Sequence, residues 1–143
     1  MRRMAILVVW AVLSAQVAAQ APASDIGAAD RTAIRRTIED QIAAFRRDDG
    51  PAAFAFATPT IQRQFATPDI FMDMVRNGYA AVYRPRSVAF GELLRVESML
   101  LQLVEVVGPD GAPVLAVYEM ERQGDGSWRI AGCVLYAVDR RAT

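Results

Sequence analysis

The reading of the chain turns on its last third: VESMLLQLVEVV at 96–107, GPDG at 108–111, VLAVYEMERQ at 114–123, GDG at 124–126 and SWRIAGCVLYAV at 127–138. The long segments are rich in β-branched, aromatic and aliphatic residues, and the short ones combine Gly, Pro and Asp. That pattern predicts consecutive antiparallel hairpins. Val88 to Leu94 adds a further run, giving about four strands.

Charge fixes the register of the last hairpin. A two-residue turn at Asp125-Gly126 sets Arg122 opposite Arg129, a repulsive pair. A three-residue loop, Gly124 to Gly126, pairs Glu121 with Arg129 and Arg122 with Trp128, an ion pair and a cation–π contact. Opposite charges across strands contribute only about 0.2–1 kcal/mol, but the competing register loses a similar amount. The three-residue loop is therefore expected, with Gly126 left-handed.

Pairing Val107 with Val114 across the preceding loop sorts the sheet into two faces. One carries Glu105, Tyr118, Trp128, Ile130 and Tyr136 and is expected to meet the helices. The other carries Leu100, Val104, Val106, Leu115, Val117, Cys133 and Leu135. It is too apolar for a face left in water, so a homodimer through this outer face is expected.

Upstream of the strands the period changes. Ile34, Ile38, Ile42 and Phe45 recur at helical spacing, predicting a helix capped by Asp30 and ended near Asp48-Asp49-Gly50. Shorter helices follow over Ala52 to Ala57, with Asp49 as cap, over Thr60 to Phe65 and over Asp69 to Tyr79, each started by a proline. In the last of these Phe71, Met74 and Val75 share a face. Helices precede strands and do not alternate with them, which specifies an α+β fold with an antiparallel sheet.

The N-terminus reads as a secretory signal. Arg2 and Arg3 precede the apolar run Ala5 to Leu13, and Val17-Ala18-Ala19 offers small residues for cleavage after Ala19. The expected organisation is a signal at 1–19, a disordered spacer at 20–29 and a single domain at 30–140, placed in the periplasm or secreted. Cleavage leaves 14 basic against 16 acidic residues, a balance that argues against nucleic acid or an anionic membrane as partner. The chain has no His and one Cys, so triads that use His, imidazole metal sites, Cys-based clusters and an intramolecular disulfide are excluded. No cofactor and no metal site is expected.

Ala55-Phe56-Ala57-Thr58-Pro59-Thr60-Ile61, followed by Phe65, Pro68, Phe71, Met74-Val75 and Tyr79, resembles a family of short exported proteobacterial proteins known as domain of unknown function 4864. The order of elements, with Gln41 to Asp49, Ala53-Phe54 and the terminal Asp125 to Gly132, resembles the cone-shaped nuclear transport factor two-like superfamily. The resemblance implies helices on a curved antiparallel sheet and an exported protein. It implies no activity.

Such a cone places a pocket between helices and sheet. Gln41, Tyr79, Tyr118, Trp128 and Tyr136 are the polar or aromatic side chains expected in it, with Glu105 near the rim. Two readings stand for Glu105: a general base with raised pKa assisted by a Tyr hydroxyl, or a solvated carboxylate at a hairpin end. Arg63, Arg84 and Arg86 are either an anion clamp or solvated loop cations. The expected function is non-catalytic binding of a small apolar or weakly anionic ligand, or self-association. The alternative is a lyase, isomerase or hydrolase built on a pocket carboxylate.

Overall fold

A computed structural model describes residues 20–139. The expected signal lies outside the described residues. Five helices, α1 (Ala28–Arg46), α2 (Gly50–Ala55), α3 (Pro59–Phe65), α4 (Pro68–Gly78) and α5 (Ala80–Tyr83), precede four long strands, β2 (Ser87–Val96), β3 (Met99–Val107), β4 (Pro113–Arg122) and β5 (Trp128–Ala137). A two-residue strand, β1 (Ala21–Pro22), completes a curved antiparallel sheet in the order β1-β2-β3-β4-β5. The fold is α+β, with five strands where about four were expected. Among the described residues no helix is long and apolar enough to cross a membrane.

The helix starts follow from their caps. Proline occupies the first turn of α2, α3 and α4, where its missing N–H has no intrahelical partner to lose. Asp49, Thr58 and Thr67 accept the backbone N–H groups of Ala52, Ile61 and Ile70 at 3.1, 3.4 and 3.2 Å. Asp30 is not a cap. Helix α1 starts two residues earlier, after Gly27, and the Asp30 carboxylate accepts from Trp128 Nε1 at 3.1 Å and Arg122 Nη2 at 2.8 Å. It thereby ties the first turn of α1 to the last hairpin.

That hairpin has the charge-selected register. Glu121 lies opposite Arg129 and Arg122 opposite Trp128, with the guanidinium 5.4 Å from the indole centre and Gly126 at φ +85°.

The faces of the sheet differ from expectation in two places. Val106, not Val107, pairs with Val114. Asp110 accepts from Ala112 N at 3.0 Å, Gly111 is left-handed, and Gly108 N donates to Ala112 O, so the loop closes one residue early and Pro113 joins the strand. A one-residue slip turns every side chain of β3 over. Leu100, Val104 and Val106, expected on the outer face, are buried against the helices, and Glu105 points outward and is exposed. In β5, Ala131 is a bulge between the pairs Met120–Ile130 and Glu119–Gly132. The bulge reverses the phase after it. Cys133 and Leu135 therefore pack on the core side, and Tyr136, expected in the pocket, is 55% exposed on the outer side.

Residues 21–29 are not a spacer. Ala21 and Pro22 pair with Arg95 and Leu94, Ala23 is fully buried in the core, and Asp25 holds Arg95 through two hydrogen bonds of 2.7 and 3.2 Å. The core lies between the concave sheet face and α1, whose Ile34, Ile38 and Phe45 are almost wholly inaccessible. Each such side chain contributes about 1.5–3 kcal/mol on burial.

Candidate functional site

Where the core widens towards α3 and α4, it leaves a cavity of about 360 Å³. Its size falls at the lower end of small-molecule pockets, which run from about 300 to 1,000 Å³. Phe45 of α1, Ile61 and Phe65 of α3, Phe71 and Met74 of α4, and Ile130 of β5 form its apolar wall. Phe71 is the hub of this wall, with ring centres of Phe54, Phe65 and Phe45 at 5.3, 5.6 and 6.2 Å. Helix α3 buries none of its residues fully, and its Gln64 is exposed, so the opening lies along α3.

The connection from α2 to α3 docks on the edge of β5. Thr58 N donates to Ile130 O at 2.9 Å, and Ile130 N donates to Phe56 O at 2.8 Å. One step along the same edge, Tyr79 at the end of α4 donates its hydroxyl to Cys133 O at 3.1 Å. These bonds hold α3 and α4 at a fixed separation from the sheet, and the cavity fills that separation.

Five of the lining residues, Gln41, Gln64, Tyr79, Tyr118 and Cys133, carry polar side chains, and all are neutral. Gln41 sits on the inner stripe of α1 and is buried. Its Nε2 donates to Ala53 O at 3.1 Å, which turns the amide oxygen into the available acceptor. Tyr118 alternates with Ala116 and Met120 on β4, is 1% exposed, and its hydroxyl has no hydrogen-bond partner among the described residues. Burial holds this phenol protonated, well above its ordinary range, and the adjacent Cys133 adds to the shift. The Cys133 thiol is near enough to influence the phenol without closing a hydrogen bond of ordinary geometry. Desolvation pushes the thiol itself up to about 12.

The structure brings together Gln41, Tyr79 and Tyr118 as expected, and adds Cys133, which was read on the opposite face. The bulge at Ala131 carries Cys133 there, and nothing in the composition of β5 signals a bulge. Gln64 and the α3 wall were also missed, although the apolar face of α4 was legible. Three expected members lie elsewhere. Trp128 is buried under Asp30, Tyr136 is on the outer face, and Glu105 is exposed. The cavity wall has no carboxylate among the described residues.

The three arginines do not form a clamp. Arg63 donates to Thr60 Oγ1 at 3.2 Å within α3, and Arg86 lies beside Gly111 in the β3–β4 loop. Arg84 bonds to Asp48 at 3.1 Å, donates to the Phe45 carbonyl at the end of α1, and stacks on Tyr83 at 4.0 Å. The Asp48 carboxylate also accepts from the Tyr83 hydroxyl, the main reason its pKa is lowered, with Arg84 and Arg76 contributing.

The outer sheet face carries an apolar strip between Glu105 and Glu119, with a membership set by the observed register. Leu103, Val117 and Val134 form one row across three strands, and Leu115 and Tyr136 pair in the next. Val134 is 52% exposed.

A family model described as Domain of unknown function (DUF4864) matches residues 27–143. No curated protein and no solved structure matches the chain.

Proposed function

Because the chain belongs to the family known as domain of unknown function 4864, whose description assigns no activity, we propose from its own geometry that it binds a small, mainly apolar molecule in the cavity without catalysing its conversion. One observation carries the reading: a tyrosine hydroxyl buried in an apolar wall with no protein partner. Such a group costs about 1–3 kcal/mol when left unpaired, and a ligand that pairs it recovers that cost. Among the described residues no carboxylate lines the cavity, and Glu105 points the other way. The export expected from Arg2, Arg3 and the apolar run to Leu13 remains part of the proposal. Cleavage after Ala19 would leave β1 whole, whereas cleavage after Ala21 would remove half of it.

The test is titration of the full chain with 6-propionyl-2-dimethylaminonaphthalene, an uncharged dye whose emission moves to the blue in apolar surroundings. Saturable one-to-one binding is expected, and Met74→Trp, which projects an indole into the cavity, should abolish it. Binding that survives this substitution with unchanged affinity would place the dye elsewhere and sink the proposal.

A second reading concerns the outer sheet face, which we propose pairs with a second copy of the chain. The row Leu103-Val117-Val134, with Leu115 and Tyr136 beside it and Glu105 at the end of their row, makes an apolar strip, and sheet faces pack on one another about 10 Å apart. A second copy is the partner that always presents the same apolar strip. Sedimentation velocity of the wild type and of Val134→Asp tests it: dimer in the first and monomer in the second are expected, and a wild-type monomer at micromolar concentration refutes it.

A further inference from the structure

The polar groups on the cavity wall also specify the charge and the hydrogen-bonding sense of what enters. No Arg, Asp or Glu lines the cavity among the described residues. An ionised ligand would lose its hydration there with nothing opposite to replace it, a penalty of several kcal/mol. The neutral groups are not equivalent. Tyr79 has committed its proton to the Cys133 carbonyl, and Gln41 has committed a donor to the Ala53 carbonyl. Tyr118 makes no hydrogen bond of ordinary geometry, its near polar neighbour being the Cys133 thiol, a weak acceptor, and burial keeps its proton on. Deep in the wall the cavity therefore offers the Tyr118 hydroxyl as donor and Tyr79 Oη and Gln41 Oε1 as acceptors, while the exposed Gln64 amide lies at the mouth.

We infer that the ligand is an uncharged molecule with an apolar body and one accepting oxygen (a ketone, ester, amide, ether or alcohol) placed on the Tyr118 hydroxyl, and that carboxylates are excluded. The inference rests on the cavity reading and adds to it a class of ligand and a specificity residue. A deep donor in a mainly apolar wall discriminates strongly, because an analogue lacking the acceptor leaves the phenol unpaired while filling the same space. A volume of about 360 Å³ accommodates a bicyclic ring system.

Three probes of nearly equal shape separate the possibilities: 2-acetylnaphthalene, which carries a neutral acceptor, 2-naphthoate, which carries a charge, and 2-isopropylnaphthalene, which carries neither. Affinities are measured by calorimetry on the full chain and on Tyr118→Phe. The ketone is expected to bind about tenfold more tightly than the hydrocarbon. It should also exceed the carboxylate by a larger factor. Tyr118→Phe should erase the advantage of the ketone and leave the hydrocarbon unchanged. Independently of any variant, the carbonyl stretch of bound 2-acetylnaphthalene should fall to the frequency of a hydrogen-bonded ketone. Naphthoate binding as tightly as the ketone, an unchanged ketone affinity in Tyr118→Phe, or a carbonyl stretch at its alkane-solution value overturns the assignment while leaving the cavity reading in place. If none of the three binds, the cavity reading falls and this inference with it.

Discussion

Tyr118→Phe is expected to make the protein more stable. The substitution keeps the ring that packs between Ala116 and Met120 on β4 and deletes one oxygen. In the unfolded chain that oxygen is hydrated, and in the folded chain it is buried beside the Cys133 thiol without a hydrogen bond of ordinary geometry. The desolvation penalty of such a group is about 1–3 kcal/mol. The neighbouring Cys133 thiol recovers part of it, so a gain of about 1 kcal/mol is the reasonable figure. Over residues 20–139, an unfolding entropy of about 2.1 cal/mol/K per residue gives about 0.25 kcal/mol/K, so the midpoint should rise by about 4 °C. Calorimetry of ligand-free protein measures it. Tyr79→Phe is the control of opposite sign, because it removes a hydroxyl that does have a partner, the Cys133 carbonyl at 3.1 Å, and should cost about 1 kcal/mol. A loss of stability in Tyr118→Phe as large as that in Tyr79→Phe would falsify the reasoning, since it would mean the Tyr118 hydroxyl is satisfied in the native state.

Three other outcomes follow from the placement of particular groups. Leu103→Glu should leave the monomer folded, whereas Val104→Glu, one residue along, buries an unpaired carboxylate and should cost more than about 4 kcal/mol, read from urea midpoints; equal effects would contradict the face assignment for β3, and the reverse order would restore the opposite one. Asp48 has a folded pKa below its unfolded value of about 3.9, so its contribution is complete above that value and disappears as the pH falls through the lower folded value. The stability difference between wild type and Asp48→Asn should accordingly be constant from pH 7 to 5 and shrink towards pH 2, and a difference that grew on acidification would contradict the sign. Asparagine tolerates the left-handed backbone at this position, φ +54°, so the comparison isolates the charge. Cys133, partly buried and with its thiol pushed up to about 12 by desolvation, should alkylate with iodoacetamide at pH 8 far more slowly than in denaturant, and comparable rates would contradict that desolvation.

The parts of the fold that were legible in the sequence are those with a local chemical signature. Thr58-Pro59 and Thr67-Pro68 announce helix starts through a cap followed by a ring that needs no N–H, and the last hairpin is registered by Arg122, Arg129 and Trp128. The parity of β3 was not legible, because LLQLVEVV is apolar on both faces and its polar residues mislead. Gln102 reads as a solvent residue, yet it is buried, donating through Nε2 to the carbonyls of Gly91 and Leu103 at 3.0 and 2.9 Å where β2 is irregular between Phe90 and Leu93. A buried amide is satisfied there by a distortion of the neighbouring strand, which no alternation pattern on β3 encodes. The same limit hid half of the candidate site. Gln41 and Tyr118 follow from helical and strand periods, but Cys133 reaches the cavity only through the bulge at Ala131. The early strand β1 was invisible for a different reason, since two residues between small polar neighbours have no period at all.

The bonds that position the cavity also leave little of the sheet open to other chains. On one side Phe56, Thr58 and Tyr79 occupy the outer edge of β5. On the other, Ala21 and Pro22 lie along Arg95 and Leu94, Ala23 N donates to Leu93 O, and the irregularity at Gly91 and Glu92 interrupts what remains of β2. Pro22 has no N–H to offer a further strand. A chain trimmed past Ala23 would keep its helices and most of its core yet expose the flank of β2 as a template for end-to-end strand addition. For such a chain the hazard is fibrillar association, and the few residues ahead of α1 act as its guard.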